Sequence, residues 1–176
     1  AVGRKDPGDA NLVFNQAMAL GAMLTFATLA GGYLATSWYM NLVGADTATV
    51  AAGSTYLYWF LPGLALQYVN MVMMSGLRGT GVVQPTMVVQ IATVLLNAIL
   101  APVLIAGIGT GKPMGVAGAG LASTISVAAG TLMLAGYMLK LEKYVHFRMS
   151  LWKPRAAVWA RMINIGAPAG GEFLLM

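Results

Sequence analysis

Neutral polar side chains recur at helical spacing inside otherwise apolar stretches of this 176-residue chain. Tyr56, Gly63, Gln67 and Asn70 share one helical face. Thr86, Gln90, Thr93 and Asn97 share another, followed by Ala101 and Pro102, and Ser123, Ser126 and Gly130 form a milder stripe. Amides and hydroxyls in such rows break no bonds alone. They coordinate ions, hold cargo or join helices. Polar groups are expensive in lipid, so they face a cavity or a neighbouring helix. From the residues, two readings stay open: a common aqueous cavity, or interhelical hydrogen bonds in a solid bundle. Glu172 is the one ionisable residue expected within a span, one helical turn beyond Pro168. An intramembrane carboxylate is a candidate proton or cation site. Its plainer reading is a solvated residue near the start of that span.

No catalytic constellation accompanies these stripes. The chain has no cysteine, which excludes disulfides and thiolate metal sites, and its single His146 cannot build a zinc site alone. His146 reads as a loop residue among basic neighbours. Gly76-Leu-Arg-Gly-Thr-Gly81 lacks the Lys-Ser/Thr that would complete a phosphate loop, so it reads as a tight turn. The expectation is a protein that is not an enzyme and carries no metal or cofactor.

The elements that position the stripes follow from the charges. Asp9 to Asp46, Asp46 to Arg78, Arg78 to Lys112 and Lys112 to Lys140 enclose charge-free runs. Each run is longer than the roughly 20 apolar residues a helix needs to cross a bilayer. The chain is 59% hydrophobic and 9% charged, with a mean hydropathy of +0.75. Soluble domains carry about 25% charged residues. A β-barrel would alternate apolar and polar residues, whereas the run from Met87 to Ile108 is continuous. The fold class expected is all-α, a polytopic transmembrane helical bundle.

Spans are expected over about 15–40, 50–77, 85–106 and 114–140, with a fifth beginning near Met162. Pro7 and Gly8 are expected to break the chain ahead of the first span, with Asp9 or Asn11 as its cap. Pro62-Gly63 predicts a kink in the second span, or a bend lining a cavity, with neighbouring helices satisfying the freed carbonyl. Gly115, Gly118, Ala122 and Ser126 predict close helix approach. Arg4, Lys5, Arg78, Lys140, Lys143, Arg148, Lys153, Arg155 and Arg161 all fall on one side of this layout, and only Lys112 on the other. The positive-inside rule puts the basic side in the cytoplasm, facing anionic lipid rather than nucleic acid. The basic and aromatic segment 141–159 reads as a linker, or a segment lying on the cytoplasmic leaflet. The loop-like beginning and the apolar end at Phe173–Met176 read as those of a piece of a longer protein.

Five stretches together resemble the multidrug and toxic compound extrusion (MATE) transporters: Gly3-Arg-Lys-Asp-Pro-Gly with Gln16-Ala17; Leu77-Arg-Gly-Thr-Gly81 with Gln84-Pro85; Leu96 to Ile105 with Gly107; Met114 to Ser123; and Ile163 to Pro168. The resemblance implies part of a twelve-helix transporter with two six-helix lobes. Residues 1–140 would be four helices of the N-terminal lobe, 141–160 the basic cytoplasmic interlobe loop, and 161–176 the start of the first helix of the C-terminal lobe. It implies a multi-pass protein of the cytoplasmic membrane that exports small organic cations in exchange for protons or sodium ions. Its partners would be the lipid bilayer and the remaining helices of the same transporter. Tyr56 and Asn97 match positions of the family's first-lobe cation site, Ala101 replaces its second polar residue, and Ser123 or Thr124 offers a hydroxyl. The expected site residues are Tyr56, Gln67, Gln90, Asn97, Ser123 and Glu172. A lipid-linked saccharide flippase of the same superfamily is the alternative, disfavoured because the spans hold no Lys or Arg to grip pyrophosphate. An intramembrane enzyme and a non-transporting helical bundle are further rivals.

Overall fold

A computed structural model describes residues 7–44, 46–109, 111–140 and 145–175, with side chains to residue 166. Five helices follow in order: α1 (Pro7–Val43), α2 (Thr47–Gly79), α3 (Gln84–Ala106), α4 (Val116–Lys140) and α5 (Ala156–Leu175). The first four are long and apolar enough to cross a membrane. The middle spans match their expected bounds to within about three residues. The first does not. Pro7 and Gly8 lie in the opening turn of α1 rather than ahead of it, because proline is pre-organised for a first turn whose N–H groups have no intrahelical partner. Asp9 and Asn11 accordingly sit inside α1 and do not begin it. α5 starts at Ala156, ahead of the expected Met162.

α4 is the centre of the bundle. It packs between α2 and α3, α1 lies against the other side of α2, and α2 and α3 barely touch although a short turn joins them. Glycine makes this possible. A Cβ on Gly118 would lie 2.7 Å from the Leu104 carbonyl on α3, and one on Gly120 would lie 2.6 Å from the Tyr56 carbonyl on α2. The two small residues thus seat α4 against backbone on both sides, as close helix packing in lipid requires. Phe14, Met18, Met73, Leu77, Val89, Leu134, Met138 and Val145 form the buried core. All lie toward the end of the bundle that carries Arg78 and Lys140. At the other end, Asp46 caps α2 by accepting from the Thr49 N–H at 2.7 Å, which holds its carboxyl below the usual carboxylate range.

Pro62 interrupts α2 without leaving its backbone bare. Proline removes one N–H and frees the carbonyl four residues earlier. That carbonyl, of Tyr58, accepts from the Tyr33 hydroxyl of α1 at 3.2 Å, and the two rings stack 5.7 Å apart. Thr124 of α4 supplies the rest: its Oγ1 accepts from the Gly63 N–H at 3.0 Å and donates to the Trp59 carbonyl. A hydroxyl is therefore inserted into the ladder at the helix break. Thr124→Val should lower the thermal midpoint by the equivalent of about 1–3 kcal/mol, since two backbone groups lose a partner. Adding Pro62→Ala should recover most of that loss. Equal midpoints for Thr124→Val and the native protein would refute the staple.

The described part of the segment after α4 is held against the bundle. Residues 145–155 run as a strap with one 3-10 turn, Met149–Leu151, clamped to the start of α1. Asn15 Oδ1 accepts from the Arg148 N–H at 2.8 Å and from Trp152 Nε1 at 3.2 Å, and its Nδ2 donates to the His146 carbonyl at 2.9 Å. Gln16 donates to the Leu151 and Lys153 carbonyls and accepts from the Arg155 N–H at 2.9 Å. Asn11 accepts from the His146 N–H at 3.1 Å and faces its imidazole Nε2 at 3.3 Å. Asn15 and Gln16 are fully buried. These side-chain amides, paired with strap carbonyls and N–H groups, hold the strap's path. Arg161 of α5 then pairs with Asp9 at 3.2 Å, an exposed ion pair worth little by itself.

Candidate functional site

The polar stripes converge in two places. Toward the basic half, Gln67 and Asn70 of α2 face Gln90 and Thr93 of α3 across a cavity of about 40 Å³. Val127, Gly130 and Leu134 of α4 complete it, with Met74 and Val89. The cavity exists because α2 and α3 are held apart by α4, whose surface at Gly130 has no side chain to fill the gap. A Cβ there would come within 2.5 Å of Thr93 Oγ1. Gln67 and Gln90 are exposed, so they stand at the mouth, whereas Asn70 is 6% exposed. Its Oδ1 is buried without a hydrogen-bond partner among the described residues. Thr93 Oγ1 donates to the Val89 carbonyl at 2.8 Å, which spends its proton and leaves its lone pairs for an incoming group. The lining residues are uncharged, so polarity here comes from amide and hydroxyl dipoles.

One turn beyond Thr93, Asn97 Nδ2 donates to Ser123 Oγ at 3.2 Å, and Ser123 in turn donates to the Ala119 carbonyl at 3.2 Å. This pair joins α3 to α4. The alternatives left open by the sequence are thus both realised, with a cavity at Gln67–Gln90 and an interhelical bond at Asn97–Ser123. Tyr56 does not line the cavity; its ring stacks on Phe60 at 5.2 Å. Ser126 is buried, donates to the Ala122 carbonyl of its own helix and does not line the cavity. Thr124, an expected source of a hydroxyl, is spent on the α2 break. Glu172 falls in the backbone of α5, but its side chain lies outside the described residues.

Asn70, Thr93 and Gly130 stood in the polar stripes but not among the expected site residues, and they complete the cavity. Their signal was present as the spacing Gln67/Asn70 and Gln90/Thr93, in which three residues put two polar groups on one helical face. The role of Gly130 had no such signal, because a missing side chain declares itself only against its neighbours.

A family model described as MatE matches residues 1–103. The chain is 27% identical over 169 residues to a FAD transporter of Shewanella oneidensis, covering 96% of this chain and 37% of that protein. It is 30% identical over 135 residues to the multidrug export protein MepA of Staphylococcus aureus, covering 77% and 29%. It therefore spans between 29% and 37% of the length of these relatives. Two solved structures of a multidrug resistance MATE family transporter of the MOP superfamily, one inward-facing and one outward-facing, each superpose with a TM-score of 0.84 at 23% and 24% identity. They cover 95% of this chain, and 37% and 36% of theirs.

Proposed function

The chain belongs to the MatE family of membrane transporters, an integral multi-pass protein, and from that premise we propose that it is part of an antiporter that exports organic cations in exchange for protons or sodium ions. The observation that carries the reading is the convergence of neutral polar stripes from α2, α3 and α4 on one cavity inside an otherwise apolar bundle. Buried polar groups without ionised partners can receive and release a charged or hydrogen-bonding passenger without holding it permanently. The likeness to both an inward-facing and an outward-facing transporter fits a bundle that moves as one body during alternating access. Basic residues gathered at one end fit insertion in the cytoplasmic membrane with that end inside.

Asn97 and Ser123 would hold the coupling ion or position the helix that does, with Gln67 and Gln90 at the cavity mouth and Tyr56 and Glu172 as further contacts. In the full-length protein, Asn97→Ala should lower ethidium efflux several-fold while the amount of protein in the membrane is unchanged. Undiminished drug resistance in cells carrying that variant would overturn the assignment. The similarity to a FAD transporter over nearly the whole chain favours a second reading, in which the cargo is an anionic dinucleotide. Vesicle uptake assays with FAD and with ethidium, under separate sodium and proton gradients, decide between the two. The lipid-linked saccharide flippase has no such support.

A further inference from the structure

We propose that Asn70, Gln67, Gln90 and Thr93 form a binding site for one largely dehydrated monovalent metal cation, separate from the Asn97–Ser123 pair. Size comes first. A pocket for a drug-sized compound encloses roughly 300–1,000 Å³. This cavity is about 40 Å³, room for on the order of two or three water-sized occupants. As bounded by this chain, the cavity is too small to enclose an organic passenger.

Donor and acceptor arithmetic comes next. Asn70 Oδ1 is buried and unpartnered among the described residues. The proton of Thr93 is committed to Val89, so its oxygen can only accept. Gln67 and Gln90 stand at the mouth, where either amide can turn its carbonyl inward. Up to four oxygens can therefore converge on one small space. Two waters could serve four acceptors between them only if both were ordered, whereas one cation is attracted to all four at once. Rings of neutral carbonyl oxygens replace the hydration shell of alkali cations in membrane channels, so a formal negative charge is not required. Val89, Val127 and Leu134 wall the cavity with hydrocarbon, which strengthens each ion–dipole contact by excluding competing water.

Position agrees. Asn70 and Thr93 are each nine residues from the basic end of their helices. At 1.5 Å per residue both lie about 14 Å along the bundle from that end. For the 23-residue α3 this is near mid-helix, and transporters bind their coupling ions near the bilayer midplane. Gly130 keeps the place open, since a methyl group there would press on Thr93 Oγ1. The site deepens the antiport reading by adding an ion station on the basic side of Asn97, and it rests on that reading only for the ion's role in transport.

The test is equilibrium binding of ²²Na⁺ to the purified full-length protein in nanodiscs, in choline chloride. The native protein should bind ²²Na⁺ saturably. Asn70→Leu, which keeps the shape and removes the oxygen, should weaken binding at least tenfold or remove one equivalent. Gly130→Ala should do the same by filling the space. Asn70→Asp, which adds charge without bulk, should tighten binding about tenfold, and this gain remains readable if the leucine variant fails to fold. Native affinity and stoichiometry in all three variants would overturn the proposal. So would the absence of saturable ²²Na⁺ binding in the native protein, which would leave a cavity for water alone. If binding follows these substitutions while vesicles show no ion-driven efflux, the antiport reading fails and the site stands.

Discussion

Gly118→Leu is expected to force α3 and α4 apart and to remove most of the protein from the membrane. A Cβ at this position would lie 2.7 Å from both the carbon and the oxygen of the Leu104 carbonyl, and 2.9 Å from the Ile105 nitrogen. Those atoms belong to backbone, so no rotamer change relieves the clash. Overpacking a well-fitted interface costs about 1–3 kcal/mol when side chains can adjust, and here they cannot. Separation also forfeits dispersion contacts along both helices, and these are a main source of helix association in lipid. Gly118→Ala should show the same loss in milder form. Gly136→Ala should be neutral or slightly stabilising, because a Cβ there meets nothing within 4 Å and alanine is the better helix former by up to about 1 kcal/mol. Fluorescence-detected size exclusion with a thermal ramp in detergent checks all three. A Gly118→Leu protein that unfolds at the native midpoint would sink the claim that backbone contact seats α4.

Asn15→Leu should release the strap. It would strip partners from the Arg148 N–H, the Trp152 indole N–H and the His146 carbonyl, at a site where Asn15 is fully buried. Each buried group left unpaired costs about 1–3 kcal/mol. A net loss of roughly 3 kcal/mol corresponds to an opening equilibrium about a hundredfold more favourable. Arg148 and Arg155 are trypsin sites on the strap, whereas Lys153 precedes Pro154 and is not cut, so cleavage in the native state reads the opening directly. The expected result is cleavage about a hundredfold faster after Asn15→Leu, with the four long helices still folded. A native cleavage rate would mean that the strap is held by something other than the amide clamp. The consequence for transport is mechanical, because the strap connects α4 to α5. While clamped, it moves with α1.

The four long helices were legible because a bilayer imposes a demand that can be read one residue at a time. Each needs an uninterrupted apolar run, and the positions of Asp46, Arg78, Lys112 and Lys140 mark where those runs end. The freed carbonyl before Pro62 was legible for a similar reason, since proline lacks an N–H wherever it stands, although α2 runs on through it as one helix. The identity of the repairing groups was not. Nothing local in Tyr33 or Thr124 distinguishes them from other hydroxyls until α1 and α4 are laid against α2. The start of α1 was misread because Pro7-Gly8 resembles a breaker, and proline changes its meaning with its place in a helix. The basic and aromatic composition of 141–159 did not disclose the clamp on residues 145–155, which are held by Asn11, Asn15 and Gln16, more than 130 residues earlier in the chain.

The candidate site divides along the same line. Which residues were polar and which helical face they shared followed from spacing, a property of one helix at a time. Whether two faces met depended on interhelical distance, and that is set by glycine. Gly118 and Gly120 bring α4 against its neighbours, and the bare surface at Gly130 leaves a gap where Gln67, Asn70, Gln90 and Thr93 can share one space. The amino-acid sequence by itself determined a membrane-spanning helical protein of known family and its polar faces, because lipid acts on each segment separately. Only the tertiary structure decided that Asn97 would pair with Ser123, that Thr124 would be spent on a helix break and that Asn70 would be left with an open acceptor. Those outcomes depend on which backbones can approach, and close approach is a property of pairs.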